Sequence, residues 1–408
     1  MKITSIETRL LTVPTPRPIA LEFSHHKLVV ADIATDEGLR GLGYSLVFGG
    51  GGAEAVLAYL DARLKPLLFE EDPLQVERLW EKMYRGDRGV RRVGIAGMAV
   101  SALDIALWDL AGKAAGMPLY KLWGGLTDRI PAYGSGGWGR YSEADLVAEA
   151  ERYAALGCKY YKMKIHHPDP KVNRARVEAV RKALGPGVRL MVDVNQKLDV
   201  EGNLRQAALL EDFDLVWYEE PVLADDLQSC AEVARKIKIP VATGENNYTR
   251  YEFRELIERK AARYLMPDVC RANGYSETLK IGHLAAAHGV AVSAARRARA
   301  LAADLRRAFE RLSGRAHRLD AAGALRRDAR LPRRRIPHPR EAGARNGLHE
   351  GSLEEVPNLT ANPVLRFLMV GWAWRGRPFP RARTPRSPGR RGGAAWRRAR
   401  GSAAPRWR

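Results

Sequence analysis

Five short apolar runs in the middle of this chain each end in polar residues that a purely structural strand has no need of. They are Lys162-Met163-Lys164, Asp193-Val194-Asn195, Glu219-Glu220-Pro221, Gly244-Glu245-Asn246 and Pro267-Asp268. Asp193, Glu219 and Glu245, brought to one place, would repel one another and call for a divalent cation. Hard oxygen donors with open coordination positions suit Mg²⁺, which keeps waters and takes up substrate oxygens. Such an ion stabilises the enediolate formed when a proton leaves the carbon next to a carboxylate, and a cation near a lysine lowers its pKa so that the amine can act as a base. Lys164 is the candidate base, with Lys162 beside it. A lone acid at a strand end is commonly a helix N-cap or a solvated loop group, but five polar strand ends in succession need another reason. Lysine pairs are commonest on solvated faces, yet Tyr160, Tyr161, Met163 and Ile165 set this pair inside an apolar strand. His166 and His167 follow at the strand exit, as substrate contacts or as loop residues with no further role.

Alternation along a strand puts Lys162 and Lys164 on one side, and likewise Asp193 and Asn195. The elements that must gather these groups are legible from about residue 131, where apolar runs at 131–135, 160–165, 189–194, 215–219, 239–244, 264–268 and 290–293 alternate with amphipathic helices. Seven such units fit a (β/α)₈ TIM barrel, in which active-site groups sit at the C-terminal strand ends. An open doubly wound sheet competes, but the Gly-rich dinucleotide loop after a first strand is missing. Upstream, residues 2–13 and 27–35 alternate as strands of an antiparallel sheet and Asp36-Glu37-Gly38 forms a turn. Gly49-Gly50-Gly51-Gly52 reads as a mobile loop. Helical periodicity covers 54–66, 74–86 and 92–115. The reading is an incomplete barrel of about seven strands behind an N-terminal α+β capping domain, divided as 1–128, 129–293 and an Arg-rich segment 294–408.

With 408 residues, 46% of them hydrophobic, the chain can fill a sizeable core. No leader pattern opens it and no apolar run reaches membrane-spanning length, so a cytoplasmic protein without a membrane partner is expected. Cys158, Cys230 and Cys270 lie far apart without metal-type spacing and are expected to be reduced core residues. The net charge of +21 is unevenly spread: residues 294–408 hold 29 Arg, no Lys and 8 acids, while 1–293 are balanced at 39 of each sign. An Arg-rich segment raises a second class of function, nucleic-acid binding. Against it, the segment has no Lys and no recognisable module, and Trp372, Trp374, Trp396 and Trp407 follow no stacking pattern. No nucleic-acid partner is expected.

These strand ends, together with the helical run Ser101-Ala102-Leu103-Asp104-Ile105-Ala106-Leu107-Trp108-Asp109-Leu110-Ala111-Gly112-Lys113 and its continuation to Leu119, resemble the mandelate racemase/muconate lactonizing enzyme family of the enolase superfamily over essentially all of 1–293. The resemblance implies a barrel holding Mg²⁺ through Asp193, Glu219 and Glu245, and capping-domain loops around 15–30 and 48–53 that close over a small carboxylate substrate. Lys162-Met163-Lys164 is similar to the Lys-x-Lys motif of the mandelate racemase subgroup, which implies that Lys164 is the base on one face of the substrate carbon. Asp268 matches the Asp that pairs with a His on the other face, and Asn195 would contact substrate or water. Dehydration of a sugar acid is the implied reaction, racemisation or epimerisation of a 2-hydroxy acid the alternative, and an intact family member is expected to be a homo-oligomer.

The strand-seven His has no counterpart. After Val290-Ala291-Val292-Ser293 the chain reads Ala294-Ala295-Arg296-Arg297. The run Ala294-Ala295-Arg296-Arg297-Ala298-Arg299-Ala300 can be encoded GCC GCA CGT CGT GCA CGA GCT; without the first G the same bases read Pro-His-Val-Val-His-Glu, the kind of sequence the family shows there. A one-base shift near codon 294 in a GC-rich gene accounts for both the lost His and a tail of Arg, Ala, Gly and Pro. A chain so altered lacks the last strand and the acid/base His, and is expected to be inactive.

Overall fold

The computed structural model describes residues 1–15, 24–127 and 131–293, and beyond them only two paired two-residue strands, Arg318–Leu319 and Leu325–Arg326. The rest of the 294–408 segment lies outside the described residues, as do 16–23 of the first capping loop and the expected boundary at 128.

Strands β1 (Ile3–Pro14), β2 (His25–Thr35) and β3 (Arg40–Val47) form an antiparallel sheet in that order. The strand over Arg40–Val47 is not legible as such, because Gly41 and Gly43 weaken its pattern. The structure supplies the reason for both. A Cβ on Gly41 would lie 2.3 Å from Ala106 O, and one on Gly43 2.0 Å from Ala102 O, so the sheet lies directly on the backbone of a helix. That helix is α3 (Ile95–Ala114), preceded by α1 (Ala53–Tyr59) and α2 (Val76–Arg85) and followed by the short α4 (Leu119–Leu122). α1 runs on through a π turn and a 3₁₀ turn to Leu67, which covers the expected 54–66. Val29, Ala31 and Ile33 of β2 meet Ala99, Leu103, Ala106 and Leu110 of α3 in one core.

The structure departs from two expectations of the sequence. Gly49–Gly52 is not simply a loop: Phe48–Gly50 make a 3₁₀ turn, and Gly52, at φ 82°, leads into α1. One apolar run does reach membrane-spanning length, since α3 has 20 residues and the necessary hydropathy, but 89% of that window is buried inside the protein. Its apolarity belongs to a core helix enclosed on nearly every side. Cys230 and Cys270 are buried, Cys158 is half-buried, and all three are free thiols.

The second layer is a seven-stranded parallel sheet in sequential order: β4 (Gly134–Gly136), β5 (Tyr160–Lys164), β6 (Arg189–Asp193), β7 (Tyr218–Glu219), β8 (Val241–Thr243), β9 (Tyr264–Leu265) and β10 (Ala291–Val292). Between them run α5 (Glu143–Ala155), α6 (Pro170–Leu184), α7 (Val200–Ala208), α8 (Leu227–Lys236), α9 (Arg250–Glu258) and α10 (Gly274–Ala287). Alternate residues face the helices: Tyr161 and Met163, Leu190 and Val192, and Tyr218 join one core with Leu146, Ala150, Val177 and Val180. The intervening positions face the other way. Met191, Trp217, Ala242 and Met266, with Tyr133, Tyr160 and Tyr264, make an apolar and aromatic floor, and one alternation further along their strands stand Lys162, Asp193, Glu219 and Asp268. This is the sheet of a (β/α) barrel with its polar groups at the C-terminal strand ends.

Candidate active site

Which acids cap helices can now be told from which do not. Asp169, Asp199 and Asp226 accept from the backbone N–H groups of Lys171, Gly202 and Ser229 at the starts of α6, α7 and α8. Asp193 and Glu219 do something else. Lys164, Asp193 and Glu219 are register partners across β5, β6 and β7, which sets their side chains side by side. Lys164 Nζ donates to Asp193 Oδ2. Lys162 Nζ donates to Glu219 Oε1 and lies 3.2 Å from Asp193 Oδ2, so one ammonium is shared by two carboxylates. All four side chains are buried, where water screens them little and charge pairing decides the protonation states.

Burial works against the Lys162 ammonium, but the attraction of Glu219, with Asp193 and Glu245, outweighs it and raises its pKa well above the ordinary value. Burial also disfavours the Asp193 carboxylate, yet Lys164 and Lys162 hold it below the usual carboxylate range. Glu219 is the residue left short of positive charge. Burial and the repulsion of Asp193 push it well above the ordinary value against the pull of Lys162, and Glu245, half-buried beyond β8, adds to the rise. Three carboxylates thus share two ammoniums, with the deficit on Glu219.

Among the described residues, no three His, Cys, Asp or Glu side chains stand close enough together to hold a metal ion as they are. The lysine ammoniums occupy the space between the carboxylates instead. The donor set nevertheless fits a hard divalent cation: the groups are carboxylates, they already repel one another, and Lys162 sits on a flexible stem that can yield its place.

Around this centre the structure ties the strand-end loops together, through Asn195 and through further residues that the sequence does not mark. Asn195, at φ 50°, turns out of the strand, and its backbone N–H donates to Asp193 Oδ1 at 2.9 Å. Trp217 Nε1 donates to Glu219 Oε2 at 2.8 Å. Glu220, the first residue after β7 and at φ 46°, accepts from both Gln196 Nε2 and Asn246 Nδ2 at 2.6 Å. Its carboxyl is pushed up to about 8 by burial and then by the repulsion of Glu245 and Asp193. Asn246 Oδ1 in turn accepts from Arg271 Nη1 at 2.6 Å, and Arg271 Nε lies 3.8 Å from Asp268 Oδ2. Glu220 had a sequence signal, the doubled acid before Pro221. Asn246 stood in the strand end Gly244-Glu245-Asn246 without a partner that could be read from it, and Gln196 and Arg271 had no signal, because these contacts span 24 to 26 residues in sequence.

Asp268 is buried at the end of β9, with Oδ1 accepting from Cys270 N–H at 2.9 Å. It belongs to the Arg271 arm of this network, whereas Lys162, Lys164, Asp193 and Glu219 form the direct cluster. The ring of Trp138 lies 5.7 Å from Lys164 Nζ and that of Tyr133 5.8 Å from Lys162 Nζ. Phe48, from the turn after β3, brings the N-terminal sheet to the same mouth, with Arg271 6.0 Å from its ring centre. His167 has a loop role: its backbone N–H donates to Asn173 Oδ1 and its Nδ1 accepts from Asp169 N–H. His166 packs on the chain at Gly139, where a Cβ would lie 2.4 Å from its ring.

Comparison with known proteins agrees with this architecture. The family model for the mandelate racemase/muconate lactonizing enzyme N-terminal domain matches residues 5–124, and that for the enolase C-terminal domain-like fold matches 145–325, past Ser293. The 3,6-anhydro-alpha-L-galactonate cycloisomerase of Streptomyces coelicolor is 37% identical over 293 residues, 71% of this chain and 81% of the relative. Arabinonate dehydratase of Saccharolobus solfataricus is 36% identical over 267 residues, 64% of this chain and 70% of the relative. The crystal structure of L-talarate dehydratase from Polaromonas sp. JS666, complexed with Mg and L-glucarate, superposes with a TM-score of 0.68 at 34% identity, covering 72% of this chain and 81% of that one. With both domain models matched in order on the sheets and strand ends described above, this chain belongs to the mandelate racemase/muconate lactonizing enzyme family of the enolase superfamily.

Proposed function

We propose that residues 1–293 carry the machinery for Mg²⁺-dependent removal of the proton next to a carboxylate, with loss of a β-hydroxyl from a sugar acid as the outcome. The observation that carries this reading is the buried cluster in which Lys162 is shared by Asp193 and Glu219 while Lys164 holds Asp193. Asp193, Glu219 and Glu245 are assigned as the Mg²⁺ ligands and Lys164 as the base. Bound Mg²⁺ supplies positive charge to the substrate carboxylate as negative charge develops on it. Lys164 Nζ, lying against Trp138, takes the proton as a neutral amine, having first given up its own ammonium proton to solvent once Asp193 no longer holds it as an ion pair. Lys162 remains as the second cation beside the developing charge. Asp268, fixed by the Cys270 N–H, serves the opposite face, and Asn195 contacts substrate or water. Two of the relatives are dehydratases of acid sugars, which supports this outcome. The 37% identity to a cycloisomerase favours a second reading, in which the same proton removal ends in isomerisation.

Directly after Ser293 this chain reads Ala294-Ala295 where the role of Asp268 calls for a nearby His, and we assign no turnover to it. The test uses two proteins, this chain and a version with one base removed near codon 294, each incubated with Mg²⁺ and a panel of acid sugars. Keto-acid product from the restored protein alone is the expected result, with Lys164→Ala lowering its rate by about 10³-fold. A restored protein that turns over no acid sugar, or a Lys164→Ala variant that keeps its rate, overturns the reading.

A further inference from the structure

Glu219 is held at both oxygens by unlike donors. Oε1 meets the Lys162 ammonium, at the end of a flexible stem. Oε2 accepts from Trp217 Nε1 at 2.8 Å, and that donor cannot swing away. Its ring stands edge-on to Tyr133, with centroids 5.6 Å apart at 90°, and lies tilted against Tyr264 at 5.5 Å and 50°. Trp217 is itself 5% exposed, packed with Met191, Val216, Ala242 and Met266 in the floor of the sheet. Trp217 and Glu219 lie two residues apart on the same side of one strand, so the bond is short in sequence and is set by the pleat.

The chemistry of the donor matters as much as its rigidity. A buried indole N–H has one proton and no charge. It satisfies one carboxylate oxygen without adding positive charge that would repel an incoming cation, whereas a Lys or Arg at that point would compete with it. We propose that Trp217 is a positioning residue for cation capture, pinning Glu219 Oε2 so that Oε1 is the oxygen turned toward the ion when Lys162 gives way. This rests on the reading of Glu219 as a Mg²⁺ ligand.

The experiment is calorimetric titration of the full chain with MgCl₂, beside a Trp217→Phe variant that keeps an aromatic ring in the floor and loses only the N–H. The variant is expected to bind Mg²⁺ about 10- to 100-fold more weakly, the usual cost of losing a group that orients a metal ligand. A merely structural indole would lower the melting temperature and leave the affinity alone, and equal affinities overturn the proposal. Should the variant fail to fold, the unmodified chain labelled with ¹⁵N-tryptophan gives the same information. One indole N–H resonance is expected to shift as MgCl₂ is added, and calorimetric binding without any indole shift overturns the proposal. If the unmodified chain binds no Mg²⁺ at all, the ligand assignment fails first and the role of Trp217 with it.

Discussion

The carboxylate of Asp104 on α3 receives two hydrogen bonds from Ser276 on α10, from Oγ at 2.6 Å and from the backbone N–H at 3.1 Å. Trp108 Nε1 donates to the same Ser276 Oγ at 2.9 Å. Gly274, at φ 86°, makes room for the contact, since a Cβ there would lie 2.2 Å from Asp104 Oδ2. A helix of the N-terminal layer and one that follows β9 are thereby clasped through a fully buried acid.

This clasp predicts a pH dependence of stability. Burial pushes the Asp104 carboxyl from 3.8 up to about 7, against the opposing hydrogen bonds of Ser276. Between those values the folded chain holds a proton that the unfolded chain has released, so the stabilisation is complete below about pH 4 and is lost as pH rises through about 7. Thermal melts over this range should show Asp104→Asn flattening the decline. An unchanged slope in the variant would assign the pH dependence to other groups.

Lys162 predicts a metal-dependent defect. Lys162→Met removes the ammonium shared by Asp193 and Glu219 and leaves two buried carboxylates under-compensated, a loss of about 3–5 kcal/mol for a broken buried pair. Because binding to the folded state adds stability, Mg²⁺ should raise the melting temperature of the variant more than that of the parent chain. Equal increments would show that the ion does not replace the charge of Lys162.

The sheet-to-helix contact at β3 tolerates no side chain at Gly43. A Cβ there would meet Ala102 O at 2.0 Å and Ala106 N at 2.5 Å, both backbone atoms that cannot move without displacing α3. Gly43→Ala should cost about 3 kcal/mol or more by overpacking, read as a lower urea midpoint. Gly38→Ala is the contrast: open space surrounds that position, so its cost, due to φ 80° alone, should be smaller.

The 294–408 segment predicts a result at the level of the gene. Resequencing should find one base too many near codon 294, and the restored frame should yield soluble protein where the present chain yields little, because a barrel without its last strand would expose a sheet edge and part of its core. An intact frame encoding these residues in independent isolates would overturn this.

Much of the site was legible because a strand alternates with period two whatever it packs against. That period set Lys162 with Lys164, and the regular alternation of strand and helix set Asp193, Glu219, Glu245 and Asp268 at successive strand ends. Three kinds of feature were not legible. The strand Arg40–Val47 was hidden by glycines whose reason is a helix more than fifty residues away in sequence. Glu220 has a positive φ that turns it away from where alternation would send it, into contact with Gln196 and Asn246. Which lysine pairs with which carboxylate depends on contacts spanning 29 and 57 residues.

The sequence by itself determined which residue types stand at the strand ends and on which side of each strand, since chirality and pleat are local properties of the backbone. Only the tertiary structure decided that Lys162 lies between Asp193 and Glu219, that Trp217 holds the far oxygen of Glu219, and that Asp104 clasps Ser276. Those facts depend on strand register and on the burial of charge, and both arise only when segments remote in the chain pack against one another.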